Sequence, residues 1–242
     1  MADLRGSARA AYVSRMFDRI AGRYDLLNRL MTFGQDRRWR REAVRRLSLP
    51  PAARALDLGA GTGDLSFEVL RQHPDARPAA TDFSLPMMRV GRQRSGADRA
   101  GWVMADALHL PFAAAAFDGV VSGFLMRNVS DVSAALAEQA RVLRPGGRLV
   151  CLDTTPPTSR WMRPLLHVHL VLVIPLLGRW IAGDAEAYNY LPESTERFLE
   201  AGALAARLSG AGLTATGYVH RMFGTIAIHW GCKPPSGSEA KT

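Results

Sequence analysis

Cysteine is almost absent: the 242 residues include two, Cys151 and Cys232. Each lies in an apolar run with the pattern of a strand, and neither has the spacing of a metal ligand. A disulfide framework and a zinc site are therefore excluded, a reducing compartment is expected, and no metal is. His167 and His169 stand two residues apart, so they would not share a helix face as ligands. Lysine is nearly missing too; only Lys233 and Lys241 accompany the arginines among 31 basic residues. No internal repeat divides the chain. The first 30 residues hold no unbroken apolar stretch, so no secretory signal is expected. Runs long enough to span a bilayer are missing as well. The greasiest segment, residues 165–177 (LLHVHLVLVIPLL), would cover about 20 Å as a helix against about 30 Å of hydrocarbon, and it contains two histidines and a proline. It reads as a helix of a substrate lid or of a membrane surface, with a buried core helix as the plain alternative.

What is present is ordinary globular composition, 48% hydrophobic and 22% charged, which excludes a disordered chain. The net charge is +9 and uneven: residues 1–50 hold twelve arginines against five acids. Apolar residues at Tyr12, Val13, Met16, Phe17 and Ile20 fall at helical spacing and predict two short helices within residues 10–50. From residue 54 the pattern changes. Strands are predicted at 55–58, 79–81, 102–104, 119–122 and 148–152, and helices at 64–72, 86–94 and 131–143. A turn at 144–147 (Arg-Pro-Gly-Gly) leads into the fifth strand. Strands alternating with helices predict an α/β fold with a mostly parallel sheet covered on both faces. After residue 153 the alternation stops. A helical insertion follows at 156–192, then a helix at 195–208, and then two strands at 213–219 and 225–230 that form an antiparallel edge hairpin. The expected arrangement is a single domain over 1–233. Its parts are an N-terminal helical cap (10–50), a core (52–153), a lid (156–192) and a C-terminal helix with hairpin (194–233), with a disordered tail at 234–242.

The strongest local signal is Leu56-Asp57-Leu58-Gly59-Ala60-Gly61-Thr62-Gly63-Asp64. Glycine recurs at every second position between a strand and a helix. The backbone can then approach a ligand closely, with helix N-terminal amides pointing at it. A dinucleotide turn would read G-x-G-x-x-G. Here the third glycine comes one residue early, and an acid, Asp57, precedes the first. That form suits a ligand without phosphate, such as S-adenosylmethionine, although a dinucleotide and a purely structural turn stay open on this motif alone. Two further stations follow. Asp82 ends the second strand, where an acid can accept both hydroxyls of a ribose. Asp106-Ala107 follows the third, where a carboxylate can accept from an adenine amino group while the next N–H donates to a ring nitrogen. The candidate cofactor site is therefore Asp57, Gly59, Gly61, Thr62, Gly63, Asp82, Asp106 and Ala107, with Ser122 at the end of the fourth strand.

From about Val13 to Lys233 the chain resembles the S-adenosylmethionine-dependent C-methyltransferases of menaquinone and ubiquinone biosynthesis. The opening Met16-Phe17-Asp18-Arg19-Ile20-Ala21-Gly22-Arg23-Tyr24-Asp25-Leu26-Leu27-Asn28 is similar to that family's N-terminal signature. Three blocks carry the resemblance most specifically: Arg127-Asn128-Val129-Ser130-Asp131, Ala187-Tyr188-Asn189-Tyr190-Leu191-Pro192-Glu193-Ser194, and Gly224-Thr225-Ile226-Ala227-Ile228-His229-Trp230-Gly231-Cys232-Lys233. The chain departs from the family pattern by one extra residue between Ser122 and Arg127, and by Asp153 where glutamate is usual. It also matches weakly over 160–180.

The resemblance implies a Rossmann-like methyltransferase fold with a seven-stranded sheet, S-adenosyl-L-methionine as cofactor, and methylation at a ring carbon of a prenylated hydroquinone. Demethylmenaquinol is preferred over the ubiquinone branch. Such a carbon becomes nucleophilic as the neighbouring hydroxyl loses its proton, so the site must stabilise an oxyanion and align carbon with methyl. Arg127 is the first candidate for the oxyanion partner, Asn128 the second donor, and Tyr24 a residue to pack near the cofactor or orient the acceptor. Asp153, His109 and Tyr188 are weaker candidates for a base. A nucleic-acid substrate, which the basic N-terminus would suit, is disfavoured: no aromatic-proline tetrapeptide follows the fourth strand, and no cysteine is placed for attack on a base. Other lipid acceptors and a non-catalytic cofactor-binding module are the remaining rivals. The expected partners are the hydroquinone and an anionic membrane surface drawn by the basic end, with no nucleic acid and with a homodimer as a further expectation. The expected setting is cytoplasmic with peripheral membrane association.

Overall fold

The computed structural model describes residues 13, 15–156, 194–195 and 198–236. The expected lid beyond residue 156 and the tail beyond residue 236 lie outside these, as does Tyr188. Seven strands form one sheet: β1 (Arg54–Leu58), β2 (Arg77–Asp82), β3 (Gly101–Met104), β4 (Phe117–Gly123), β5 (Leu143–Thr154), β6 (Thr214–Arg221) and β7 (Ile226–Cys232). Their order is β3-β2-β1-β4-β5-β7-β6. The first five run parallel, and β7 pairs antiparallel with both β5 and β6. This is the expected architecture, edge hairpin included.

Side-chain alternation along the strands builds two cores, one on each face. Leu56, Leu58, Val120, Leu149 and Cys151 face one core, which is closed by Leu136 of α5 (Val132–Val142) and by Leu204 and Leu208 of α6 (Ala201–Gly210). Ala55, Val121, Val150, Leu152 and Ile228 face the other. There they meet Trp39, Val44 and Leu47 of α2 (Asp36–Leu47) and Leu65 and Val69 of α3 (Asp64–Gln72). Helix α4 (Leu85–Arg92) is capped by Ser84, whose hydroxyl accepts from the Met87 amide, with proline in the first turn. Both cysteines are free, and burial pushes the Cys151 thiol up to about 12, which leaves it inert.

Three local expectations are corrected. The N-terminal cap holds more than two short helices. Residues 15–20 are helical, a 3₁₀ turn follows at Ala21–Arg23, and then come α1 (Tyr24–Met31) and α2. Phe33 and Gly34, at φ 52° and 71°, separate the last two. The 144–147 segment is not a turn ahead of a strand but part of β5: the pairing jumps from Phe117↔Leu143 to Gly119↔Arg148, and the extra residues form a bulge. The helix predicted over 195–208 is interrupted: residues 194–195 are helical, 198–200 are not, and α6 begins at Ala201. Glu200 is extended, and Phe198 and Leu199 pack against the core instead of continuing a helical turn.

The strand order reverses between β1 and β4. From β1 the chain steps outward through β2 to β3, then crosses back to β4. The crevice at the carboxyl ends of these strands is where an open parallel sheet binds ligands.

Candidate functional site

A cavity of about 330 Å³ lies at this point, within the range of small-molecule sites. Its floor begins with the glycine turn. Gly59, Gly61 and Gly63 sit at φ 69°, 55° and 86°, and a Cβ on Gly59 would come 2.8 Å from Leu125. Side chains are thereby kept off the surface that a ligand would approach. The turn is tied to β2 by the Gly59 and Ala60 amides, which donate to the Thr81 carbonyl at 2.8 and 3.0 Å.

Asp82 binds the two turns together. One carboxylate oxygen accepts from the Gly61 amide and the other from the Ser84 amide, each at 2.7 Å. Burial raises its pKa, although these amides and that of Phe83 hold it down. A carboxylate oxygen has a second lone pair, so each can still accept a hydroxyl from the cavity side. Asp106 and Ala107 line the cavity after β3, and Asp106 accepts from the Leu108 amide at 2.9 Å. Of the expected residues, Tyr24, Gly59, Gly61, Asp82, Asp106, Ala107 and Asn128 are brought together on the cavity wall.

The others sit behind it. Asp57 is buried under the glycine turn, where one oxygen accepts from both the amide and the hydroxyl of Ser66 at 2.8 Å. Its second oxygen is buried with no hydrogen-bond partner among the described residues. Thr62 donates its hydroxyl to Asp25 at 2.7 Å, and Gly63 starts α3. Ser122 is enclosed in β4 opposite Cys151. Arg127 is 6% exposed and turned toward Asp153, itself 1% exposed, with a nitrogen–oxygen distance of 2.6 Å. Asp131, whose side chain caps α5, is not its partner. Among the weaker base candidates, His109 is exposed beside Asp106, and Asp153 is committed to Arg127.

Tyr24 meets Phe17 edge to face at 5.7 Å. Burial raises its pKa, so the phenol keeps its proton, while Asn28 and the charges of Arg127 and Arg40 oppose the shift. Phe124 was not among the residues expected at the site. It lines the cavity, lies under the guanidiniums of both Arg40 (5.8 Å) and Arg127 (5.3 Å), and takes φ 58°. The extra residue between Ser122 and Arg127 marks the same segment, in which Phe124 takes its left-handed turn. No cluster of metal ligands occurs among the described residues.

Asp57 supplies a test of this electrostatic picture. Burial pushes its pKa up to about 7, with the charges of Asp82 and Asp64 adding to the rise and the Ser66 hydrogen bonds opposing it. The folded state then holds a proton that the unfolded chain has lost, so this group's share of stability is full below about pH 4 and lost as pH rises through about 7. Asp57→Asn keeps the acceptor for Ser66 and removes the titration. The melting temperature of the variant relative to the parent is expected to climb between pH 4 and 7.5. A pH-independent difference would contradict the buried-carboxyl account.

A profile of the ubiE/COQ5 methyltransferase family matches residues 5–233. The chain belongs to that family. Among its relatives, the ubiquinone/menaquinone biosynthesis C-methyltransferase UbiE of Desulfotalea psychrophila is 48% identical over 91% of this chain and 90% of its own length. The demethylmenaquinone methyltransferase of Thermus thermophilus is 44% identical over 90% of this chain and 100% of its own. Among solved structures, the [4+2]-cyclase SpnF superposes with a TM-score of 0.66 at 18% identity, covering 93% of this chain and 96% of its own. A cyclase on this fold shows that architecture does not fix the reaction. Membership of the ubiE/COQ5 family does: the chain is a methyltransferase.

Proposed function

We propose that this chain methylates a ring carbon of a prenylated hydroquinone, demethylmenaquinol, with S-adenosyl-L-methionine as methyl donor. The observation that carries the reading is one cavity lined by Gly59, Gly61, Asp82, Asp106 and Ala107 together with Tyr24 and Asn128. The donor, when bound, supplies an electrophilic methyl group on sulfur. The residues fit it. The glycines leave backbone open to it, Asp82 keeps two acceptor positions for ribose hydroxyls, and Asp106 and Ala107 suit an adenine edge. On the acceptor side, the protonated Tyr24 donates to a hydroquinone oxygen and Asn128 is the second donor. Arg127 acts from behind Phe124, where its charge favours the developing oxyanion. The ring carbon takes the methyl group, the carbon–sulfur bonding pair stays on sulfur, and the ring hydrogen leaves as a proton. The name of the Thermus thermophilus relative supports the menaquinone branch, while that of the Desulfotalea psychrophila relative covers both branches.

No helix among the described residues is long and apolar enough to cross a membrane. The acceptor's prenyl tail still places the working enzyme against a bilayer, in a cytoplasmic and peripheral setting. The outward stripe of α1 and its following turn supports this. Leu26, Leu30 and Phe33, at helical spacing, are exposed among the exposed Arg23, Arg29, Arg37, Arg38 and Arg41. Apolar side chains within a basic field suit an anionic lipid surface.

One assay tests both parts. Methyl-labelled S-adenosylmethionine is offered with demethylmenaquinol in anionic vesicles, with demethylmenaquinol in neutral vesicles, with RNA, and with phospholipid alone. Label is expected in the quinol, faster on anionic vesicles and slowed there by salt. Label in RNA alone would overturn the substrate. Equal, salt-insensitive rates on both vesicles would remove the membrane face.

A further inference from the structure

The segment that carries Tyr24 forms one wall of the cavity and is fastened to both cofactor-facing turns. Val13, Phe17 and Tyr24 line the same cavity as Gly59, Gly61 and Asp82. Met16 and Ile20 anchor the same segment by burial. Asp18 accepts a hydrogen bond from the Ser84 hydroxyl at 2.5 Å, two residues beyond Asp82. Asp25 accepts from the Thr62 hydroxyl at 2.7 Å, inside the glycine turn. Arg94 stands 3.6 Å from Asp25 and 2.7 Å from Asp64, which gives the second fastening a cation on the core side. Each contact joins residues far apart in sequence, and each grips a turn that holds the proposed cofactor.

The opposite end is anchored. Helix α2 is fixed, with Trp39, Ala43, Val44 and Leu47 all buried. Between it and α1, Phe33 and Gly34 both take left-handed φ values, 52° and 71°. Two residues therefore end α1 and carry the change of direction into α2.

We infer that residues 15–31 are a strap over the cofactor cavity, and that Asp18 and Asp25 are positioning residues which hold it closed and set the rate of cofactor exchange. The inference rests on the reading that the cavity takes S-adenosylmethionine. A ligand seated on Gly59 and Asp82 shares its cavity with Phe17 and Tyr24, so release needs the strap to lift and both carboxylate contacts to break. The strap thereby links cofactor retention to the placement of Tyr24, which reaches the acceptor side only with the strap closed.

The test measures dissociation of S-adenosylhomocysteine from the full chain by stopped-flow fluorescence. Asp18→Ala and Asp25→Ala are each expected to speed dissociation about 10- to 100-fold, the worth of one hydrogen bond to a charged group, while association is unchanged or faster. Asp25→Asn restores most of the slow rate, because its amide oxygen still accepts from Thr62. Unchanged dissociation in both alanine variants overturns the strap while leaving the cofactor reading intact. Absence of binding by the parent chain overturns the cofactor reading and the strap with it. If an alanine variant fails to fold, hydrogen exchange on the parent chain decides. S-adenosylhomocysteine must slow amide exchange across residues 15–31, and unaltered exchange there overturns the proposal.

Discussion

Arg127→Ala is expected to lower the unfolding free energy by about 3–5 kcal/mol and to slow methyl transfer in the molecules that still fold. The first effect follows from burial. Asp153 is 1% exposed; it takes the Arg127 guanidinium at 2.6 Å and the Thr154 amide at 2.8 Å. Removing the guanidinium leaves a carboxylate enclosed without its counter-charge. A loss of turnover in this variant is therefore ambiguous taken alone. The pair Arg127→Met with Asp153→Asn separates the two roles, because it removes both charges together. Urea unfolding of the double variant is expected to recover most of the lost stability, while kcat stays low and the cofactor dissociation constant stays near that of the parent. Recovery of kcat together with stability would show that Arg127 serves the fold alone, and Asn128 with Tyr24 would carry the acceptor side.

That ambiguity marks where sequence reading ends. The glycine turn was legible because its conformation has a local cause: three positions at positive φ, between a strand and a helix, admit little besides glycine. Asp82 and Asp106 were legible because parallel strands place their carboxyl ends along one edge. The mostly parallel sheet followed from the alternation of elements, and its antiparallel edge from the two closing strands; the strand order came only with the structure. Contacts between distant segments were not legible. Asp25 and Thr62 lie 37 residues apart and Arg127 and Asp153 lie 26 apart, and no spacing rule pairs them. Proximity to a motif also proved different from lining the cavity. Asp57, Thr62, Gly63 and Ser122 belong to the strand ends and the turn, yet their side chains or backbone support the wall from behind. The same limit explains Phe124. An extra residue is visible in a sequence, but the left-handed turn of Phe124 between two guanidiniums is a property of the packed chain.

Asp82→Ala is expected to weaken S-adenosylmethionine binding by about 100-fold or more, since hydrogen bonds to a charged group contribute about 1.5–3 kcal/mol each and two are lost. The carboxylate also holds the Gly61 and Ser84 amides at 2.7 Å, so alanine loosens both turns as well as removing the acceptor. A cofactor analogue lacking the ribose hydroxyls separates these effects. Calorimetry of parent and variant with both ligands forms a thermodynamic cycle. The parent should lose affinity on removal of the hydroxyls, and the variant should lose much less, because its acceptor is already gone. Equal losses in parent and variant would assign Asp82 to the turn alone. The pH dependence gives an independent readout. Burial raises the Asp82 pKa, so on acidification it takes up a proton before an ordinary aspartate does. A protonated carboxyl accepts fewer hydrogen bonds, so affinity should fall with pH in the parent while Asp82→Asn, already weak, stays flat through the same range.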